Sequence, residues 1–290
     1  MKRRLFPTLC FVVFTSIVSA QETVELMDFE SISYSDSLIT DLKIVEDGSD
    51  EETSNFTWGK SHNYYTKTTI HAISGRPEVV AFVNQWLTLD AAGKYTQEMK
   101  DVATVAKEYA KLGAEGSTNM LAVLKRHCDS YLHEDLLEEF GWETGNEYYN
   151  NIEVVMNTEY LLTIYDHGSM YPAGAAHGMP WSACTTFDLK NLRKMELDDI
   201  IKESNQAVVL DMLIKELYDE YGEESLNENI DFGTPALTPE GVIFCYGAYE
   251  IGPYALGMPE IIIPYSKILP YLTTNAKSLI PAALLTTAHK

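Results

Sequence analysis

A chain of 290 residues with 21 Lys+Arg against 43 Asp+Glu carries a formal net charge of −22. So acidic a surface excludes nucleic acid and anionic lipid as electrostatic partners, because both require a basic footprint, and it favours attraction of a cationic one. The length suffices for one large hydrophobic core or two small ones.

The first residues predict a secretion signal. Lys2, Arg3 and Arg4 precede a mostly apolar run over 5–18, which ends in Val18-Ser19-Ala20. This pattern suits cleavage after Ala20, and the run is too short for a comfortable membrane span. The expectation is an exported protein, periplasmic or secreted, with no integral membrane span in its mature form. Removing the leader's three basic residues leaves 18 against 43, a net charge of −25. Cys128, Cys184 and Cys245 then remain, an odd count that is no disulfide framework. Cys184 and Cys245 both fall in predicted strands and would pair only if those strands are neighbours. Buried thiols are the simpler reading.

Residues 24–34 and 38–45 read as strands, followed by an acidic surface loop over 46–52 and an Asn55-Phe56-Thr57 sequon. A β-branched strand spans 64–73. Pro77 then suits a first helical turn, and Val79, Val80, Phe82, Val83, Trp86 and Leu87 recur at helical spacing. Two more helices, 97–112 and 118–140, read as an insertion; His127 and His133 of the 118–140 helix read as surface or cap residues. Strands over 152–156 and 160–166 lead into a glycine-rich loop, 166–178, and a strand over 181–189. An amphipathic helix covers 206–221. Apolar runs over 241–246 and 261–263 read as two strands joined by a stiff aromatic loop, and a small helix follows at 266–272. The order predicts an α+β fold: antiparallel sheets with helices packed on one face, in two intimately associated subdomains. Their expected limits are 21–178 and 179–272, with 273–290 a loose tail.

Two groups stand out chemically. Asp166 and His177 flank the glycine-rich loop, where carboxylate and imidazole would suit a general base, although the glycines beside His177 equally suit a tight structural turn. No Gly-x-Ser-x-Gly or His-Glu-x-x-His accompanies them, and no Cys/His cluster has metal spacing, so neither metal nor cofactor is expected. Tyr249, Glu250 and Tyr254 place aromatic rings beside a carboxylate in one loop. That composition fits a binding hot spot or a sugar platform, because rigid rings supply contact area at low entropic cost. It also fits rings that fill a sheet edge.

The segment from Phe187-Asp-Leu through Leu197-Asp-Asp-Ile200, and the stretch from Leu237-Thr-Pro-Glu-Gly through Tyr249-Glu-Ile-Gly-Pro-Tyr254 to Ile263-Pro-Tyr265, resemble a domain of unknown function found outside the membrane in RsiV-like anti-sigma factors, which bind lysozyme. Residues 64–87 and Gly174-Ala-Ala-His-Gly178 are similar to the module that usually precedes it, also found before some peptidoglycan deacetylase domains. The resemblance implies a non-catalytic envelope protein that binds a cationic, lysozyme-like hydrolase or cell-wall glycan, with Tyr249, Glu250, Tyr254, His177 and Asp166 as candidate binding residues. A cell-wall hydrolase or deacetylase-type enzyme, and a structural envelope protein without a small ligand, are the alternatives.

Overall fold

Two 17-residue strands, β1 (Phe29–Val45) and β2 (Phe56–Ala72), run antiparallel in unbroken register from Phe29↔Ala72 to Val45↔Phe56. The computed structural model describes residues 26–45, 56–116, 119–132, 145–172 and 175–286. The expected leader, the acidic run 46–52, Asn55, His133 and Gly174 lie outside the described residues. The break expected between residues 34 and 38 is absent, because β2 supplies ladder partners straight through Ser35, Asp36 and Ser37.

Helices α1 (Pro77–Ala91), α2 (Val102–Lys111) and α3 (Met120–Leu132) follow. Pro77 starts α1 where its missing N–H is no loss. Asp101 caps α2 by accepting the Thr104 amide, while the Thr104 side chain answers the Asp101 amide. The chain then returns as β3 (Glu147–Asn157), β4 (Leu161–Tyr171), β5 (Met179–Asp188) and the two-residue β6 (Arg193–Lys194). The sheet order is β1-β2-β3-β4-β5-β6. One pairing departs from the antiparallel expectation: β2 and β3 run parallel, Tyr64↔Glu147 to Thr68↔Asn151. Parallel neighbours need a long crossover, and the three helices between them supply it.

The second half holds α4 (Leu197–Ile200), α5 (Gln206–Tyr221), an antiparallel sheet of β7 (Thr234–Leu237), β8 (Gly241–Cys245) and β9 (Glu260–Pro264), and three short helices, α6 (Tyr265–Ile268), α7 (Thr274–Leu279) and α8 (Ala282–Thr286).

Strand alternation sorts the layers. Phe187 of β5 points toward the helices, edge-on to Phe82 and Trp86 of α1 at centroid distances of 5.8 and 5.1 Å. Thr186, its neighbour, points the other way: its hydroxyl meets Thr163 of β4 at 2.9 Å and accepts the Leu237 amide at 2.9 Å. The Thr163 hydroxyl donates to Leu237 O at 2.7 Å. One hydrophobic core therefore lies under α1–α3, and a second lies between α5, the small sheet and the C-terminal helices.

The residues after Leu272 are not a loose end up to 286. Thr273 caps α7, its N–H donates to Ile200 O at 2.9 Å, and Ala276, Leu279 and Ile280 are buried. Asn275 Nδ2 donates to Asp188 Oδ2 at 3.0 Å. That carboxylate is fully buried and also accepts the Lys190 and Asn191 amides.

Candidate functional site

The loop between β8 and β9 is built from its own backbone. Glu250 N–H donates to Gly247 O at 3.2 Å, and the Glu250 carboxylate accepts the Gly247 amide at 2.7 Å. This closed turn forces Tyr249 into the left-handed region, φ 68°. A non-glycine residue there costs about 1–2 kcal/mol, a strain often retained where a side chain must be aimed. The Tyr249 side chain is aimed outward, and the residue is 50% exposed.

The turn meets the loop between β4 and β5. His177 Nδ1 lies 2.9 Å from Gly178 O, and His177 Nε2 lies 2.8 Å from the Tyr249 hydroxyl. A carbonyl only accepts, so Nδ1 carries a hydrogen. In the neutral ring Nε2 then accepts from Tyr249 O–H. Tyr254 completes the group: its hydroxyl donates to the same Gly178 O at 2.8 Å, and its ring stacks on His177 with centroids 4.0 Å apart. Tyr171 lies along the same edge, its Cδ2 within 3.6 Å of a Cβ placed on Gly178.

An acidic segment is stitched to this surface. Asn227 N–H donates to Ile251 O at 2.8 Å and Asn227 Nδ2 to Glu250 O at 3.4 Å. The stitch places the exposed Glu223, Glu224 and Glu228 in the segment packed beside the Tyr249 turn. No local sequence pattern links these glutamates to residues 249–254.

Of the five candidates, Tyr249, Tyr254 and His177 converge. Glu250 joins them as the residue that closes the turn, its Oε2 held by its own backbone. Asp166 does not converge. Sequence pattern starts the glycine-rich loop at Asp166, but β4 runs on to Tyr171, so Asp166 and His167 are strand residues on opposite faces. Asp166 faces the helices, where it accepts from Asn150 Nδ2 and, at 3.4 Å, from Trp181 Nε1. Burial, with Asp90 adding to it and Lys67 opposing, pushes its carboxyl up to about 6.

Nearby, Lys67 is 3% exposed and pairs with Asp90 at 3.0 Å. Burial disfavours its charge, but Asp90, with Tyr148 and Asp166 adding to it, outweighs this and the ammonium pKa stays above its ordinary value. His127, expected at the surface, packs here too: Nδ1 meets the Tyr65 hydroxyl at 2.7 Å, and Tyr65 stacks on Tyr148 at 5.0 Å. This cluster braces the sheet against α1 and α3.

The arrangement suits contact more than chemistry. The one imidazole in the exposed group has both nitrogens engaged, and its neighbouring carboxylate is turned onto backbone. A cleft of about 550 Å³ lies elsewhere, lined by Glu30, His71, Asn84, Thr88 and Tyr109 among others, and by none of the five candidates. Among the described residues, no group of three or more His, Cys, Asp or Glu side chains is placed to hold a metal ion, and no helix is long and apolar enough to cross a membrane.

Residues 198–266, which include the Tyr249 turn, match the family described as "Protein of unknown function (DUF3298)". The fold is similar to the crystal structure of a DUF3298 family member from Bacteroides fragilis, at 20% identity and TM-score 0.53 over 86% of this chain and 94% of that one. A DUF3298 family protein from Pseudomonas aeruginosa PAO1 is 17% identical with TM-score 0.47, over 83% of this chain and 95% of that one. No curated protein matches the chain.

Proposed function

We propose that this protein is an exported, non-catalytic binding module, and that the Tyr249–His177–Tyr254 surface with its flanking glutamates docks a basic protein. The observation that carries the reading is the Asn227 stitch, which ties an exposed acidic segment to the turn that bears the exposed Tyr249 ring. Rings beside carboxylates suit Lys and Arg side chains, through cation–π contact and charge complementarity together. The net charge of −22 adds long-range attraction. The RsiV-like resemblance suggests a lysozyme-like hydrolase as the partner class, and the leader expected from the sequence suggests an encounter outside the cytoplasm.

The test is titration calorimetry with lysozyme at low and at high salt. Binding is expected at low salt and should weaken steeply as salt rises, because exposed charges are screened beyond about 8–10 Å at physiological ionic strength. The triple variant E223Q/E224Q/E228Q should lower the affinity and flatten the salt dependence. No binding at either salt removes lysozyme as partner, and retention on insoluble peptidoglycan in its place assigns the surface to glycan. Release of sugar or acetate from peptidoglycan, abolished in His177→Ala, would overturn the non-catalytic reading.

A further inference from the structure

Cys184 and Cys245 come from different sheets and meet. In the six-stranded sheet Cys184 is paired with Tyr165 across β4 and β5. In the three-stranded sheet Cys245 is paired with Glu260 across β8 and β9. The Tyr165 hydroxyl donates to Glu260 Oε1 at 2.7 Å, so the two cross-strand pairs stand face to face. The cysteines form the other rung of this rectangle. Both are 2% exposed and share one apolar cluster with Ala236, Ile243 and the ring of Tyr165. Strands β5 and β8, which carry them, pack against each other. Cys128 lies in the helical core, on the far side of the six-stranded sheet.

We infer that Cys184 and Cys245 are a modification site: they oxidise to a disulfide that clamps the small sheet onto β5. The oxidant is a disulfide of the glutathione class. One cysteine thiolate attacks a sulfur of oxidised glutathione, giving a mixed disulfide and one glutathione thiolate. The second cysteine attacks the protein-side sulfur of that mixed bond, the Cys184–Cys245 bond forms, and a second glutathione leaves. The two cysteine protons end on the two glutathione thiols, and the two electrons reduce the oxidant.

The packed state sets the timing. Hydrogen bonding to Cys245 and burial both hold the Cys184 thiol far above its ordinary pKa, and only the thiolate attacks. Exchange therefore runs before the sheets close over the pair, and closure then shields the bond from reductant. The bond ties off a loop of about 60 residues, which restricts the unfolded chain.

The full chain, reduced and unfolded, would be refolded in mixed reduced and oxidised glutathione, then alkylated under denaturing conditions and mapped by mass spectrometry. The expected result is the loss of two thiols and a linked Cys184–Cys245 peptide pair, lighter by two hydrogens than its parts. The C10S/C128S variant should form the same bond, and its urea midpoint should fall on reduction. Recovery of Cys184 and Cys245 peptides each separately alkylated, a bond that involves Cys10 or Cys128, or an oxidised form no more stable than the reduced one overturns the inference.

Discussion

The Tyr249 hydroxyl and His177 Nε2 meet at 2.8 Å across 72 positions of sequence, and this contact joins the loop after β4 to the loop after β8. Because His177 Nδ1 is committed to Gly178 O, the Tyr249 hydroxyl is the partner that Nε2 receives. Tyr249→Ala should therefore weaken lysozyme binding at least tenfold, about 1.4 kcal/mol or more, as for an aromatic anchor near the centre of an interface. Tyr249→Phe, which keeps the ring and loses the hydroxyl, should cost less. Calorimetric titration of both variants checks the order. Equal affinity for Tyr249→Ala and the parent would remove Tyr249 from the interface.

Two inner groups make opposing contributions to acid stability. Burial, then Lys67, holds His127 down to about 4 against an ordinary 6.5. Its contribution is whole above pH 6.5 and is lost as pH falls toward 4, on the order of 3 kcal/mol. Asp166 is raised from 3.8 to about 6, so its contribution is present below 3.8 and is lost as pH rises through 6. The slopes oppose between roughly pH 4 and 6. Asp166→Asn keeps an acceptor for Asn150 and Trp181 and removes only the second slope. Its urea midpoint should rise more steeply than the parent's across this window, with a gain of about 1–3 kcal/mol at neutral pH. Parallel profiles would show that Asp166 does not titrate there.

The Lys67–Asp90 pair should behave as a buried unit. Lys67→Met strands the Asp90 carboxylate and is expected to cost about 3–5 kcal/mol. The double variant K67M/D90N should recover a large part of that loss, since position 90 then carries no charge to be stranded. Denaturant unfolding of the two single variants and the double closes the cycle. Additive losses would mean that the two side chains act independently.

Gly168 should tolerate no side chain. A Cβ there would stand 2.2 Å from Tyr149 O and 2.4 Å from Trp181 Cζ2. Gly168→Ala must displace the indole or open the β3–β4 ladder, at a cost of about 1–3 kcal/mol. Unfolding midpoints and near-ultraviolet circular dichroism would record both effects. An unchanged tryptophan signal at parental stability would refute the close approach.

The same glycine shows why part of the site is hidden in the sequence. In Asp166-His-Gly168 the glycine reads as a breaker, which puts the start of the loop there. In the fold it is a strand residue whose missing side chain makes room for Trp181, which sits opposite it on β5. Helices α1 and α5 and the turn from Tyr249 to Gly257 are legible, because their signals are local: apolar residues at helical spacing, or glycine and proline between apolar runs. The helices at 274–286 are not. Ala276, Leu279 and Ile280 form too short a pattern to register until α4 and the turn after β5 provide the surface they cover.

The amino-acid pattern by itself determined the acidic charge, the alternation of sheet and helix, and an aromatic turn bearing Tyr249, Glu250 and Tyr254. Periodicity and composition act over a few residues, so these properties survive without any distant contact. Only the tertiary structure decided that β2 and β3 run parallel, that His177 belongs with Tyr249 and Tyr254 while Asp166 turns away to Asn150, and that Cys184 faces Cys245. Each of those outcomes brings together residues far apart in the chain, and the packing of one element against another, not a local pattern, selects the partners.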